Sequence, residues 1–330
     1  MSSKIEKTIA RQQQRISEGQ FYEAHQQLRV IASRYAKASN WAAAVDILSQ
    51  GAAALLRADQ GGSGGDLCLF LLDVYKQAEM RPDAETKGRI LGLLRMFPKG
   101  EPTRKRVVGE MIGWSSRFGE YPAGDPELHH VAGTLYADED EPYEAERHLL
   151  LGTRDSPERL TKLLFAWYAE SGSPSLAASF AARAVLPYLA VGNVRAASKS
   201  LLLFGASLSS SPSPPPVQDV SSATAELRVY PSLPLMNFLG LLLQSVQRGD
   251  AGLYRMLRSR YDDQLREVPE WEDVLGQIAE MYFGIRKPSQ SNPLFDMMSS
   301  MLMGGGSSGG SSQGAQRRVG AGGPPAAGLD

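Results

Sequence analysis

The sequence predicts an all-α fold, a tetratricopeptide-like α-solenoid of antiparallel helix pairs with one short β-ribbon arm near residues 225–230. Apolar residues recur at helical spacing, as in Phe21, Ala24, Leu28 and Ile31, and strand-like alternation is almost absent. Several helical segments open on an aromatic residue or Val followed by small residues: Tyr22-Glu23-Ala24, Trp41-Ala42-Ala43-Ala44, Tyr143-Glu144-Ala145 and Val194-Arg195-Ala196-Ala197. A single amphipathic hairpin cannot bury its own apolar stripe, so such units are stable only when stacked.

Helical pattern fills nearly all of the chain up to Leu203. The predicted segments lie near residues 4–18, 21–37, 41–57, 66–80, 83–96, 103–119, 125–136, 142–152, 156–171, 175–190 and 193–203. The breaks between them are short and carry Gly, Asn or Pro, which predicts antiparallel neighbours. The glycine-rich stretch 60–66 is interpreted as a tight turn between two helices, with Ser63 or Asp66 capping the second helix.

The pattern changes after Phe204. Residues 207–216 form a Ser/Pro-rich stretch that we expect to be a loop rather than a continued helix. Beyond it, an extended segment would place Leu227 and Val229 on one side, and Pro231 would end it. Helical pattern returns over 235–248, 251–268 and 271–283, and 292–303 would form a Met-rich amphipathic turn. The sequence thus predicts an N-terminal half (1–203), a C-terminal half (204–303) and a disordered Gly/Ser/Pro tail (304–330).

Bulk composition argues against several classes of protein. The chain has 330 residues with 35 Lys and Arg against 36 Asp and Glu, a net formal charge of -1, so no long-range field attracts nucleic acid or an anionic membrane. The N-terminus lacks the apolar stretch of a secretory signal, and the longest apolar runs are about a third of the ~20 residues that a membrane span needs. We therefore expect a cytosolic protein that does not insert into membranes.

No pattern of catalytic or metal-binding residues is recognisable. The four histidines, His25, His129, His130 and His148, stand outside any catalytic or zinc-binding spacing, and helix packing and capping explain them better. The single cysteine, Cys68, lies in an apolar run that is typical of a buried structural thiol. The glycine-rich stretch 60–66 lacks the Lys-Ser/Thr that phosphate binding requires. The sequence predicts a protein with no enzymatic activity, no metal and no cofactor.

Several motifs in order along the chain carry a family resemblance. These are Gly19-Gln20-Phe21-Tyr22-Glu23-Ala24-His25-Gln26, Ile47-Leu48-Ser49-Gln50-Gly51-Ala52, Gln60-Gly61-Gly62-Ser63-Gly64-Gly65-Asp66-Leu67, Gly124-Asp125-Pro126 with Leu128-His129, and Tyr143-Glu144-Ala145-Glu146-Arg147 with Leu151-Gly152-Thr153. Together they resemble the Golgi to ER traffic protein 4 family, cytosolic scaffolds of the guided-entry pathway for tail-anchored membrane proteins. The likeness runs from about Lys7 to Leu302. The Ser/Pro-rich stretch 207–216 and the tail after Met303 depart from the family pattern.

The resemblance implies a non-enzymatic bridge between two partners. The N-terminal half would dock a homodimeric tail-anchored targeting ATPase and hold it in a nucleotide-bound, client-ready state, and the C-terminal half would clasp a ubiquitin-like co-chaperone. The implied ATPase-facing positions are Tyr22, Arg29, Asp66, Asp73 and Glu79. The implied co-chaperone-facing positions are Leu227, Val229, Tyr230, Leu235 and Phe238. We expect Leu227, Val229 and Tyr230 to be exposed to water unless that partner covers them.

Two other readings stay open at the level of sequence. A generic tetratricopeptide-like adaptor would bind peptide tails of chaperones in its groove, for which it would typically carry a Lys/Arg clamp, and the mixed, unclustered charges of the N-terminal helices do not resemble one. An unrecognised hydrolase is disfavoured by the histidine and cysteine inventory. The Met-rich cluster of residues 295–302 could contact a partner or only cover the last hydrophobic layer.

Overall fold

Helices occupy most of the described chain. The computed structural model describes residues 2–220 and 228–286. In the N-terminal part the helices are α1 Ser2–Ser17, α2 Phe21–Lys37, α3 Trp41–Arg57, α4 Gly61–Gln77, α5 Ala84–Leu94, α6 Pro102–Phe118, α7 Pro126–Asp138, α8 Pro142–Leu149 and α9 Ser156–Ser171. They are followed by α10 Ala177–Ala190, α11 Val194–Ser209, strands β1 Gln218–Asp219 and β2 Arg228–Val229, then α12 Pro234–Arg248, α13 Ala251–Arg260, α14 Asp262–Arg266 and α15 Glu272–Phe283. The all-α prediction is confirmed.

The first turns of the chain repeat one design. Helices α2, α3 and α4 are each 17 residues long and begin at residues 21, 41 and 61. The residue before each N-cap adopts a left-handed conformation, with φ of 81° at Gly19, 55° at Ser39 and 58° at Asp59. The N-cap amide then donates to the carbonyl five residues back at 2.9 Å, from Gln20 to Arg15, Asn40 to Tyr35 and Gln60 to Leu55. This hydrogen bond satisfies a carbonyl that the helix end would otherwise leave unpaired.

Contacts divide the chain into a compact unit over residues 1–285 and a second unit over residues 286–330. Within the first unit, a helix contacts both the next helix and the second next, as α3 does with α4 and α5, which is the arrangement of two stacked layers. The core lies between the layers. Its largest fully buried side chains include Tyr75 and Trp114, whose ring centres are 5.1 Å apart, and the Trp114 indole N–H donates to the Met80 carbonyl at 2.8 Å.

The glycine-rich stretch 60–66 is not the predicted turn. Helix α4 begins at Gly61, and the chain reverses just before it, at Asp59. A methyl group on Gly64 would lie 2.6 Å from Leu56 Cγ, and one on Gly65 would lie 2.4 Å from Thr103 Cγ2. These glycines therefore let α4 approach α3 and the start of α6 more closely than any other residue would.

The C-terminal half also departs from the sequence prediction. Helix α11 continues through the serines to Ser209, because Leu208 is fully buried and anchors its last turn. The predicted helix 251–268 is two helices, α13 and α14. The predicted arm is half of a two-stranded antiparallel sheet, in which Gln218 lies opposite Val229 and Asp219 lies opposite Arg228. Residues 221–227, including Leu227, and the predictions for 292–303 and for the tail lie outside the described residues.

Ion pairs join helices that are second neighbours in sequence. Lys76 on α4 binds Glu110 on α6, and Lys105 on α6 binds Glu144 on α8. In the other layer, Lys199 on α11 lies 3.3 Å from Glu158 on α9. Each exposed pair is worth roughly 0–1 kcal/mol, so the pairs fix alignment between helices more than they stabilise the fold.

Candidate protein-binding surfaces

Four of the five predicted ATPase-facing residues lie on two neighbouring helices. Tyr22 and Arg29 are seven residues apart on α2, and Asp66 and Asp73 are seven residues apart on α4, so each pair occupies one face of its helix. Arg29 and Asp66 are in direct contact across the two helices. The Tyr22 side chain is 71% exposed, and Asp73 is also exposed. We call these four residues the α2–α4 surface.

Asp66 is the electrostatic centre of the α2–α4 surface. Its Oδ2 atom accepts from Arg29 and lies 2.8 Å from His25 Nε2. Partial burial acts to raise the pKa of Asp66, but the hydrogen bonds from Arg29 and His25 outweigh it and hold that pKa below its ordinary value. The Arg29 guanidinium also lies 5.7 Å from the centre of the Phe70 ring. Asp66 therefore stays ionised at neutral pH and carries its charge in a fixed position.

Sequence reasoning missed His25 as a member of this group. His25 and Arg29 are four residues apart, so they project from the same face of α2 and reach the same carboxylate. That spacing was the available signal. Asp73 also has a partner, since Lys76 Nζ lies 3.6 Å from its carboxylate and binds Glu110 as well. Both acidic residues of the α2–α4 surface therefore form ion pairs with neighbouring basic side chains.

Glu79, the fifth predicted residue, is placed elsewhere. It follows the end of α4, has a left-handed φ of 52°, and borders an open cavity of about 940 Å³. Lys87 in this cavity lies 3.1 Å from Asp125 and 2.8 Å from Glu127. Burial acts to lower the pKa of Lys87, and its bonds to Glu127 and Asp125 outweigh burial and raise that pKa. The cavity also contains Arg81 and Arg117, so it combines charges of both signs.

The predicted co-chaperone-facing residues divide into half-buried and buried groups. Val229 and Leu235 are half-buried, whereas Tyr230 is 3% exposed and Phe238 is fully buried. Phe238 packs between two rings, with centres 5.7 Å away at Tyr261 and 6.4 Å away at Trp271. The expectation that Tyr230 faces water is wrong, because the body of the protein covers it.

Tyr230 fastens the arm to the helices below it. Its backbone N–H donates to Asn237 Oδ1 at 2.7 Å, and the Asn237 side-chain amide donates back to the Tyr230 carbonyl at 2.9 Å. Its hydroxyl is buried without a hydrogen-bond partner, directly over Gly205 of α11, where an added methyl group would lie 3.1 Å from it. The base of the arm therefore rests on the last turns of α11 and the start of α12.

Among the described residues of the arm, the exposed apolar ones lie on either side of strand β1. Val217 and Val220 flank β1 and are 42% and 52% exposed. The extended pattern at residues 225–230 does not by itself point to them, so sequence reasoning missed them. The run Val217-Gln218-Asp219-Val220, which directly follows the prolines, was the available signal for a second strand. We call Val217, Val220, Val229 and Leu235 the arm surface.

Two buried histidines form a pair in the core between α7 and α8. His129 Nε2 lies 3.0 Å from the Ala123 carbonyl, so it carries the proton, and His129 Nδ1 then accepts from His148 Nδ1 at 3.0 Å. Tyr136 stacks on His148 at 5.7 Å. Burial lowers the pKa of His129, and burial together with the neighbouring His129 lowers the pKa of His148 to about 4. Both rings are neutral and structural at physiological pH.

Chemically reactive groups are sparse in residues 2–220 and 228–286. Burial raises the pKa of the Cys68 thiol to about 12, so it stays protonated and is not a nucleophile at neutral pH. No group of three or more His, Cys, Asp or Glu in these ranges is arranged to hold a metal ion. No helix in the same ranges has the length and apolar character to cross a bilayer.

Known proteins share this sequence and fold. The family model described as Golgi to ER traffic protein 4 matches residues 38–302. Golgi to ER traffic protein 4 of Aspergillus fumigatus is 54% identical over 314 residues, covering 91% of this chain and 90% of that protein, and that of Schizosaccharomyces pombe is 36% identical, covering 85% and 90%. The crystal structure of C. therm. Get4 superposes with a TM-score of 0.83 at 53% identity, covering 92% of this chain and 96% of that one. The chain therefore belongs to the Golgi to ER traffic protein 4 family.

Proposed function

We propose that the chain is a non-enzymatic cytosolic scaffold in the delivery of tail-anchored membrane proteins to the ER. It binds a targeting ATPase through the α2–α4 surface and a ubiquitin-like co-chaperone through the arm surface. The observation that carries the proposal is the presence of two surfaces of different chemistry in one chain of the Golgi to ER traffic protein 4 family: one charged and built on helices, one apolar and built on an arm.

The α2–α4 surface suits a reversible, orientation-specific contact. Tyr22 offers a large exposed ring of the kind that anchors interfaces, and Asp73 offers an exposed charge on the neighbouring helix. Charge-dominated contacts raise the association rate and are screened within about 8 Å at physiological ionic strength. ATPase binding should therefore weaken as salt rises. By preferring one nucleotide state, the scaffold shifts the ATPase toward that state by the difference between its two affinities.

The arm surface suits a longer-lived contact. Val217 and Val220 are exposed, and Val229 is half-buried beside them in the sheet. Covering such side chains, which are already about half-buried, is worth on the order of 1 kcal/mol each before association costs are subtracted. Tyr230 and Phe238 then support the site from beneath rather than touch the partner.

A tetratricopeptide-like adaptor for peptide tails is the alternative. Such an adaptor needs free cations in its groove to hold a terminal carboxylate. On the layer formed by α2, α4 and α6, the cations Arg29, Lys76 and Lys105 are each bound to a carboxylate on a neighbouring helix. These three cations are therefore not available to a terminal carboxylate, and membership of the Golgi to ER traffic protein 4 family favours the scaffold over the adaptor.

The test is calorimetric titration of the full-length chain with each purified partner, using variants matched in exposure. Tyr22→Ala should weaken ATPase binding at least tenfold, a loss of about 1.4 kcal/mol. Tyr143→Ala should leave it unchanged, because Tyr143 is 69% exposed but lies on α8. Val220→Asp should weaken co-chaperone binding, whereas Val191→Asp, equally exposed on the turn after α10, should not.

For each partner, one outcome of the titrations would show that the proposed binding surface is wrong. If Tyr22→Ala and Tyr143→Ala bind the ATPase equally well, the α2–α4 surface is the wrong face. If Val220→Asp retains full co-chaperone affinity, the arm surface is not the site. Binding of free chaperone tail peptides with a dependence on their terminal carboxylate would establish the adaptor reading instead.

A further inference from the structure

The Ser/Pro-rich stretch between α11 and β1 takes no part in the proposed function. It contains two Ser-Pro steps, Ser211-Pro212 and Ser213-Pro214. Pro212, Ser213 and Pro214 are exposed, Ser211 is half-buried, and the segment from residue 212 to β1 is not helical. Proline holds the chain in extended, polyproline-like conformations and denies it helical hydrogen bonds. A serine followed directly by proline in an accessible, non-helical segment is the form of substrate that proline-directed Ser/Thr protein kinases accept.

Ser211 also has a structural role in the unmodified chain. Its hydroxyl donates to the Leu208 carbonyl at 2.7 Å, and its backbone N–H donates to the same carbonyl at 3.2 Å. The last four carbonyls of a helix have no partner within the helix and must be satisfied from outside. The Ser211 hydroxyl is thus a cap on the C-terminal end of α11.

The turn that Ser211 caps supports the base of the arm. Leu208 is fully buried in this turn, and Gly205 one turn earlier lies directly under the Tyr230 hydroxyl. The cap, the last turn of α11 and the arm therefore form a continuous set of contacts. Ser211 is thus connected to the base of the arm through the turn that contains Leu208 and Gly205.

We propose that Ser211 and Ser213 are phosphorylation sites for a proline-directed kinase, and that phosphate on Ser211 loosens the last turn of α11 beneath the arm. The serine Oγ attacks the γ-phosphorus of ATP, the new O–P bond forms as the bond to ADP breaks, and the hydroxyl proton passes to a base of the kinase. The product has lost the O–H that donated to Leu208. It also places about two negative charges at a helix C-terminus, where the helix dipole is already negative.

A phosphate on Ser211 could also have the opposite effect, because a cation of the arm lies near the end of α11. Arg228 on β2 lies close to Gly205, with a guanidinium nitrogen 3.8 Å from the position of an added methyl group, and Asp219 stands opposite Arg228 in the sheet. A phosphate that reached Arg228 would tie α11 to the arm rather than loosen it. Loosening of α11 would accelerate amide hydrogen exchange in its last turn, whereas a contact between the phosphate and Arg228 would slow it, so one measurement distinguishes the two.

The test treats the full-length chain with ATP and a purified proline-directed Ser/Thr kinase, counts phosphates by mass spectrometry, and follows amide hydrogen exchange over residues 206–211. We expect phosphate on both serines, and none there in the variant Pro212→Ala with Pro214→Ala. Exchange over 206–211 should accelerate roughly tenfold on phosphorylation, from loss of the cap and repulsion at the helix end.

Single-serine variants assign the effect. Within this stretch, Ser213→Ala leaves only Ser211 to be phosphorylated, and phosphate located there by mass spectrometry should bring the full acceleration. Within the same stretch, Ser211→Ala leaves only Ser213, and exchange over 206–211 in this variant should not change on phosphorylation when compared with its own unmodified form. Absence of phosphate on both serines overturns the proposal. Phosphate on Ser211 with unchanged or slower exchange overturns the loosening and, if slower, assigns the phosphate to Arg228.

Discussion

Helices α1–α4 and the region from α11 to α12 connect their elements in opposite ways. The first region repeats one 17-residue helix and one three-residue turn, and its close contacts are made by backbone at Gly64 and Gly65. The second separates its helices by a proline-rich stretch and a sheet of two strands with two residues each, and its close contacts are made by large side chains such as Tyr230 and Phe238. Regular packing leaves charged side chains on the surface, whereas interruption leaves apolar residues at an edge.

The largest change in stability is expected from a substitution in the core of the second region. Phe238→Ala should lower the free energy of unfolding by about 3–5 kcal/mol, because it removes a fully buried ring from between Tyr261 and Trp271. Leu235→Ala, at a half-buried position, should cost clearly less. Denaturant titration measures both. A Phe238→Ala chain of unchanged stability that no longer binds the co-chaperone would place Phe238 in the contact instead.

Low pH should destabilise the part of the fold that lies between these two regions in sequence, through the histidine pair of α7 and α8. The folded-state pKa of His148 is about 4 against an ordinary value of 6.5, so the unfolded chain takes up protons at a pH where the folded chain does not. The free energy of unfolding is therefore fully retained above about pH 6.5 and falls as the pH drops toward 4, by roughly 1–3 kcal/mol. Denaturant titrations at pH 7.5 and 5 measure the fall, which His148→Gln should reduce. An equal fall in the variant would assign it to other groups.

Close backbone approach in the first region can be tested within one helix. Gly65→Ala should destabilise by about 1–3 kcal/mol, because the new methyl group would overlap Thr103. Gly62→Ala on the same helix meets nothing within 4 Å and should instead stabilise, by up to about 1 kcal/mol, through helix propensity. Thermal unfolding of both variants gives the comparison. Equal effects would mean that the glycines of α4 do not determine its distance from α6.

The repeated turn predicts the smallest effects. Ser39 and Gly19 occupy the same left-handed position in successive turns. Ser39→Gly should stabilise by a few tenths of a kcal/mol, since relief of the left-handed penalty exceeds the entropy that glycine adds to the unfolded chain. Gly19→Ser, with open space around it, should destabilise by about 1 kcal/mol. Melting temperatures of opposite shift would confirm the prediction, and shifts of the same sign would contradict it.

Most helices could be predicted from apolar spacing because that signal is local. The start of α4 could not be found in the same way, since a run of glycines looks the same in a turn and in a closely packed helix. The 20-residue spacing of Phe21, Trp41 and Gly61 contained the answer. Helix α11 was ended too early because the buried position of Leu208 depends on neighbours distant in sequence.

The candidate surfaces, too, were predictable where the signal is local and not where it depends on contacts between helices. Helical spacing was enough to group Tyr22 with Arg29, and Asp66 with Asp73. The contact between the two helices could not be predicted, because His25 and Asp66 are 41 residues apart. The burial of Tyr230 could not be predicted either, since Gly205, against which its hydroxyl lies, belongs to a different helix much earlier in the chain.

The 20-residue unit also limits how the length of the chain can change in evolution. One helix and its turn reverse the direction of the chain, so adding or removing a single unit would move every later helix into the opposite layer. The apolar faces of those helices would then point outward, and pairs such as Arg29 with Asp66 would be separated. Only an even number of units, 40 residues in the smallest case, keeps the later helices in their layers. The repeated turn therefore restricts insertions and deletions in this region to even numbers of helix-and-turn units.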